Sequence, residues 1–434
     1  MRIHRSIPLR AAAVVTVAAL LAACGGAAEE PADEGSPEAV TLKLTWWGSD
    51  ARTAIMNDVI ASFQEEYPHI TVQGEPSDFD SYFDKVATAT AAGDAPDVLC
   101  LGGAYPQEYG AAGALLDLNS VPEVLDTSAF AESTLVSSTV DGTVYGLPTG
   151  GNAIGVIANT RIFSEAGVEL PDDESWTWED FTDLATEISE KHPDAETYGV
   201  EMRIQDILGV YAGQRGDGLY DWDGNLAVEK DTLVDFWTME TGLIASGAQP
   251  SAEKTVELQN VGPELTLIGT GKAGMSFAYS NLLGTYATSS GDELVILKVP
   301  GENQYDHPGA TVLPSQYWGI SSQSEHPEES ALLVDYLVND VEAGKLILAD
   351  RGLPFNAEVY EGIKDLLDPA SAAAGEYVTE VTETTEPAPP QPAGGSGLND
   401  TTQRFEQQVI FGQLSPEEAA DQWIAEMEAA LAAG

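Results

Sequence analysis

The chain has 434 residues with 43% hydrophobic and 21% charged content, enough for two domains with substantial cores. Eighteen Lys+Arg against 71 Asp+Glu give a net charge of −53. That field excludes nucleic acid and anionic membrane surfaces as partners. The acids are spread along the chain without a long block, so they read as a solvated, salt-tolerant surface rather than a cation-storing tail.

Arg2, Arg5 and Arg10 precede the short apolar run Ala11 to Leu21, and Leu21-Ala22-Ala23-Cys24 follows at once. This is the layout of a secretory signal. The apolar run is shorter than the roughly 20 residues a membrane-spanning helix needs. Leu-Ala-Ala-Cys resembles the bacterial lipobox, which implies a signal peptide over 1–23 and a diacylglycerol anchor on Cys24. Loss of three arginines and no acids then takes the charge from −53 to −56. Residues 24–40 are rich in Gly, Ala, Glu and Pro without periodicity and read as a disordered tether. Cys100 then has no partner for a disulfide and reads as a buried, inert thiol within Val98 to Leu101.

From Thr41 the chain alternates strand and helix. An apolar strand ends in Trp46-Trp47-Gly48. A helix with Ile55, Val59, Ile60 and Phe63 on one face stops at Tyr67-Pro68. A strand over Ile70 to Val72, a helix from about Tyr82 and a strand over Asp97 to Leu101 follow. This alternation predicts a parallel sheet. Ligands bind beyond the carboxyl ends of such strands, at the turns Gly48 to Asp50, Ser77 to Asp80 and Gly102 to Tyr105.

Asp141-Gly142 predicts a hairpin between Thr139-Val140 and Val144-Tyr145. Gly146 to Asn152 reads as a mobile first crossing between lobes, followed by a strand over Ala153 to Asn159. Thr177 caps a helix that buries Phe181, Leu184, Ala185 and Ile188. Lys230 to Ser246 is a second amphipathic helix, with Trp237 in its core stripe. Leu294 to Val299 reads as the second crossing, Gln316 to Ser321 as a strand, and Pro327 opens a helix. Thr382 to Gly397 reads as a loop. Ser415-Pro416-Glu417-Glu418 is a capping box that opens the last helix.

Several motifs fail on inspection. Asp221 to Asn225 begins like a calcium loop, but Leu226 and Thr232 stand where glycine and glutamate are required. Gly269-Thr270-Gly271-Lys272-Ala273-Gly274 matches a dinucleotide fingerprint, but a strand-like run follows where a helix is needed. His69, His192, His307 and His326 each stand alone, without HExxH or GxSxG signatures. No cofactor, metal site or catalytic group is expected. A glycoside hydrolase is the best enzymatic alternative, because it needs only two carboxylates. A lipid-anchored adhesin is the structural one.

Aromatics at strand ends are better pointers, because their faces stack on the C–H faces of sugars. Trp46, Trp47, Tyr105, Tyr211, Tyr279 and Trp318 are the candidates, with core packing the competing explanation for each. Arg52, Arg203 and Arg351 lie near the candidate cleft and can fork onto hydroxyls or a carboxylate.

The pieces LTWWGSDAR, YFDKVATATAAGDAPDVL, DGTVYGLPTGGNAIGVIANTRIFSEAGV, SWTWEDF, GTGKAGMSFAYSN and NDVEAGKLILADRGLP, in this order, resemble family 1 extracellular solute-binding proteins. These are the maltose-binding-protein-like lipoproteins of ABC sugar importers, and the chain resembles their actinobacterial members. The resemblance implies an α/β, two-lobed periplasmic-binding-protein-like fold of type II, with the ligand cleft between lobes joined by hinge segments. It implies an N-terminal lobe of 41–148 plus 300–338 and a C-terminal lobe of 149–299 plus 339–434. By position it implies ligand contacts at Trp47, Ser49, Asp50, Arg52, Asp80, Tyr82, Gly103, Tyr105 and Asn152, with Asn281 and Ser315 as further cleft candidates. Tyr279 stands where many members carry a stacking Trp.

The implied function is a monomeric, lipid-anchored receptor on the extracellular face of the cell membrane. It captures a sugar or oligosaccharide and passes it to ABC permease subunits. A polyol, glycerol phosphodiester or uronate is the alternative solute.

Overall fold

The computed structural model describes residues 39–433, except 49, 78, 104, 203, 260 and 393. The expected leader and tether, the lipidation site Cys24, and the ligand candidates Ser49 and Arg203 lie outside the described residues, as does the side chain of Asp80. Among the described residues no helix is long and apolar enough to cross a membrane.

The first strand, β1 (Val40–Trp47), alternates its faces. Leu42, Leu44 and Trp46 are buried on one side, while Thr45 and Trp47 lie on the other. The chain continues through α1 (Asp50–Glu66), β2 (Ile70–Ser77), α2 (Phe79–Ala92) and β3 (Val98–Leu101). β1 runs parallel to both β2 and β3, with Leu44 opposite Gly74 and Val98. The second helix begins at Phe79, three residues before the position expected from its apolar stripe. After α3 (Tyr105–Ala111) and α4 (Glu132–Leu135), β4 (Thr139–Val140) and β5 (Thr143–Val144) form the expected hairpin. Asp141 and Gly142 both take positive φ in its two-residue turn, at 50° and 80°.

The glycine-rich run expected as a mobile crossing is instead the start of one long strand, β6 (Leu147–Asn159). The chain then forms α5 (Thr160–Ala166), α6 (Trp178–Lys191), β7 (Tyr198–Glu201), α7 (Ile204–Gln214), α8 (Lys230–Ser246), α9 (Ala252–Leu258), β8 (Ala273–Tyr279), α10 (Leu283–Ser290), β9 (Leu294–Leu297) and β10 (Val312–Ile320). Six helices close the chain: α11 (Pro327–Asn339), α12 (Val341–Ile347), α13 (Ala357–Ile363), α14 (Pro369–Thr384), α15 (Leu398–Ile410) and α16 (Pro416–Ala433). The Thr177 and Ser415 capping boxes both form. The expected loop begins only after Thr384, where α14 ends.

The sheet order is β2-β1-β3-β10-β6-β8-β7, with β9 also paired to β6. β6 carries the chain from one half to the other. Its first half pairs with β10, and its second half pairs with β8 and β9. Leu294 to Val299, expected to cross between lobes, therefore stays in the second half, its first four residues forming β9. Two large apolar clusters flank this junction. One gathers Leu42, Trp46, Phe63, Val98, Trp318 and Leu333. The other gathers Val156, Phe181, Phe236, Trp237, Phe277 and Trp423. Val299, Ala310 and Val312 pack in the second cluster, and Ala343 and Ile347 in the first. The chain thus re-enters the first lobe along β10, beyond residue 300, and stays there past 339.

Close backbone approach holds the junction together. Gly151 exchanges backbone hydrogen bonds with Leu353, N to O at 2.9 and 3.2 Å. A Cβ on Gly151 would stand 2.0 Å from the Phe355 ring, and one on Gly150 would stand 2.6 Å from the Leu353 carbonyl. The apolar-looking gap in the sequence is therefore a strand stripped of side chains so that a second segment can lie on it.

Candidate ligand site between the lobes

The carboxyl ends of β1 and β3 carry an aromatic shelf. Trp47 sits edge-on to Tyr82 at 5.0 Å and tilted to Phe83 at 5.4 Å. Phe83 stacks on Tyr105 with centroids 3.7 Å apart and planes 8° apart. Tyr109 extends the group edge-on to Tyr105 at 5.7 Å. Phe83 and Tyr105 are half-buried, so part of the stack is open to solvent. The turn beside it is open at Gly103, where a Cβ would meet nothing within 4 Å, while a Cβ on Gly102 would lie 3.3 Å from the Trp47 ring. Asp50 is exposed at the start of α1.

Strand periodicity separates the two tryptophans. Trp46, expected in the site, is fully buried against Gly74 and Ile60, on the opposite face from Trp47. It is a core residue. Tyr82 is also internal. Its hydroxyl donates to the Cys100 carbonyl at 2.8 Å and accepts from the Cys100 N–H at 3.0 Å, tying α2 to β3. Burial pushes the phenol well above its ordinary range. Trp318 is fully buried as well, and serves as the floor under Arg351, whose guanidinium lies 4.8 Å from its ring. These three do not present a surface to ligand.

At the junction, Arg52 from α1 holds Asp350, through Nε to Oδ2 at 2.8 Å and Nη2 to the Asp350 carbonyl at 2.7 Å. Asn152 and Ser315 face each other across β6 and β10, with Asn152 Nδ2 donating to Ser315 Oγ at 3.3 Å. The Asn152 Oδ1 is buried without a hydrogen-bond partner. Arg351 is 1% exposed. Its Nη1 donates to Gln316 Oε1 and to Cys100 Sγ at 3.6 Å. Burial raises the Cys100 thiol to about 11, so that sulfur is a neutral acceptor. Burial also lowers the Arg351 guanidinium from its ordinary value.

The second lobe contributes Tyr279 and Asn281, at the end of β8 and just beyond it. Tyr279 is half-buried and Asn281 exposed. Tyr211 is largely buried, its phenol pushed up to about 12 by burial. The Arg215 guanidinium lies 3.4 Å over the Tyr211 ring and 4.7 Å from that of Tyr305. A groove of about 420 Å³ opens next to Tyr211 between α6 and α8, lined also by Trp178, Met239 and Leu243. It lies on the helical layer of the second lobe, away from the junction.

Sequence reasoning missed Phe83, Tyr109, Arg215, Tyr305 and Gln316. Phe83 stood on the apolar stripe of a helix, where core is the default, and Arg215 and Tyr305 belong to no motif. Among the described residues no group of three or more His, Cys, Asp or Glu is placed to hold a metal.

An α/β fold of two lobes, joined by strands that cross between them with an aromatic shelf at the strand ends, defines a type II periplasmic binding protein. The family model for "Bacterial extracellular solute-binding protein" matches residues 47–343, and the chain belongs to that family. It is 27% identical over 240 residues to the arabinooligosaccharide-binding protein of Halalkalibacterium halodurans, covering 52% of each chain. It is 24% identical over 238 residues to the lactose-binding protein of Rhizobium radiobacter, again covering 52% of each. The alignments thus span about half the length of these curated relatives. A solved extracellular solute-binding protein of family 1 from Alicyclobacillus acidocaldarius superposes with a TM-score of 0.82 at 25% identity, covering 92% of this chain and all of the other.

Proposed function

We propose that this protein captures a sugar or oligosaccharide between its lobes and hands it, unchanged, to the membrane permease of an ABC importer. The observation that carries the reading is the stacked Phe83–Tyr105 pair beside Trp47, half-exposed at the carboxyl ends of β1 and β3. Aromatic faces of this kind suit the C–H faces of pyranose rings. Asn152, with an unmet acceptor, suits a hydroxyl donor across the junction. The names of the arabinooligosaccharide- and lactose-binding relatives point the same way. Hinge motion about β6 and β10 closes the lobes over the ligand. Cys24 carries the lipid that keeps the receptor at the outer face of the membrane, and the acidic surface keeps it in solution above that face.

The test is thermal unfolding of the mature protein against a panel of mono- and oligosaccharides at two salt concentrations, followed by chromatography of the sugar. A ligand at 100 times its dissociation constant adds about 2.7 kcal/mol to the native state, a readable shift. A stabilising sugar recovered intact supports a receptor. A stabilising sugar recovered as cleavage products makes the protein a glycoside hydrolase instead.

A further inference from the structure

We infer that the captured sugar carries a carboxylate, as a uronic acid unit does, and that Arg351 receives it; this rests on the sugar-receptor reading above. Two nitrogens of the Arg351 guanidinium, Nε and Nη2, are buried without a hydrogen-bond partner. They form one edge of the guanidinium plane. Their two N–H bonds run parallel, at the spacing of the two oxygens of a carboxylate. The remaining nitrogen, Nη1, is already used by Gln316 and Cys100. What is unmet is therefore one bidentate fork, and not a scatter of donors.

Scarcity of acid does not explain the open fork. The chain has 71 Asp+Glu, and three arginines nearer the surface find them: Arg52 pairs with Asp350, Arg161 with Asp292 and Glu165, and Arg404 with Glu426, while Arg215 lies over Tyr211 and Tyr305 instead. Arg351 is the most deeply buried of these and has no carboxylate. The adjacent Asp350 is turned to Arg52 instead. A buried guanidinium stays charged; the Asp350 charge acts on it through space but is bonded to Arg52, and two buried donors left unmet are costly. A fold that keeps such donors at its ligand junction gains only if an anion arrives there.

The position fits arrival with lobe motion. Thr149 Oγ1 of β6 donates to the Arg351 carbonyl at 2.9 Å. Gly352, at φ 86°, lies against Gly150, Gly151 and Ser315, where β6 and β10 pass between the lobes. Opening about these strands uncovers the fork, and closing seals the acid group against Arg351 and Gln316. One positive charge with two donors matches a carboxylate. A phosphate monoester would bring a third oxygen and a second charge that this edge leaves unmet.

The experiment is calorimetric titration of the full mature chain with three matched ligands: a neutral oligosaccharide, its counterpart oxidised to the uronate at C6, and the corresponding sugar phosphate. The wild type is expected to bind the uronate at least tenfold more tightly than the neutral sugar and than the phosphate. Arg351→Lys, which keeps the charge and loses the fork, is expected to lose most of that preference. Arg351→Met is expected to fold, by circular dichroism, and to bind neutral and acidic sugars alike. Equal wild-type affinity for neutral and acidic sugars would overturn the inference and leave the receptor reading standing. Preference for the phosphate would overturn the carboxylate assignment. Binding of no sugar at all would remove both. Should a variant fail to fold, the wild-type comparison decides alone.

Discussion

Glu240 on α8 and Glu406 on α15 are both buried, at 0% and 1% exposure, and stand side by side in the second lobe. Gln249 Nε2 donates to Glu240 Oε1 at 3.4 Å and Gln259 Nε2 to Glu406 Oε2 at 2.9 Å, but Glu240 Oε2 has no donor. A proton shared by the two carboxyls supplies it. Burial accordingly raises Glu240 from 4.5 to about 7, and burial with the neighbouring Glu240 charge raises Glu406 well above its ordinary range. The folded state therefore holds a proton that the unfolded chain releases above about pH 4.5. Its stability falls as pH rises from about 4.5 through 7, the window between the unfolded and folded values of Glu240. Between pH 5 and pH 8 the Glu240 ionisation alone costs roughly 2–3 kcal/mol.

Glu240→Gln replaces the proton with a permanent amide donor of the same shape. Urea unfolding followed by tryptophan fluorescence at pH 5, 6, 7 and 8 gives the difference between variant and wild type. The general repulsion among the other acids is common to both proteins and cancels. The variant is expected to gain on the wild type most steeply between pH 5 and 7 and to level off above that, by roughly 2–3 kcal/mol over the whole range. A difference that stays flat from pH 5 to 8 would refute the shared proton.

Three further substitutions separate shelf, core and junction. Tyr105→Ala opens one side of the stacked pair and is expected to weaken sugar binding about tenfold, with little loss of stability, because the ring is half-exposed. Trp46→Ala is expected to destabilise the first lobe by roughly 3–5 kcal/mol in urea unfolding, while the folded fraction binds sugar at near wild-type affinity. Gly151→Ala drives a methyl into Phe355; a loss of roughly 1–3 kcal/mol is expected, with weaker sugar binding, since the strand that carries Asn152 must shift.

Legibility in the sequence followed local physics. α8 was read with its observed ends, Lys230 and Ser246, because its apolar stripe is regular and Gly247 at φ 77° closes it. The Ser415 capping box and the Thr177 cap were legible because each is a signal of a few adjacent residues. The crossing at Gly146 to Asn152 reads as a mobile loop rather than a strand, because Gly150 and Gly151 are loop signals until Leu353 and Phe355 are laid against them, and those lie some two hundred residues away. α14 was invisible as an amphipathic helix, because its buried face includes Ala374 and Gly375, which carry little hydrophobic signal. Trp46 and Trp47 share a motif but point to opposite faces of one strand, and although both are buried, only Trp47 packs under the half-open Phe83 and Tyr105 rings, a difference the strand period alone shows. The open fork of Arg351 depends on Cys100, Gln316 and Trp318, which no local window joins to it.

The central claim is reversible capture of an intact sugar by the two-lobed cleft. The most direct measurement is calorimetric titration of the mature protein with the sugar that most raises its unfolding temperature, with chromatography of the ligand afterwards. The account predicts saturable one-to-one binding, recovery of the sugar unchanged, and a loss of affinity in Tyr105→Ala. Turnover of the sugar, or binding that Tyr105→Ala leaves untouched, would contradict it.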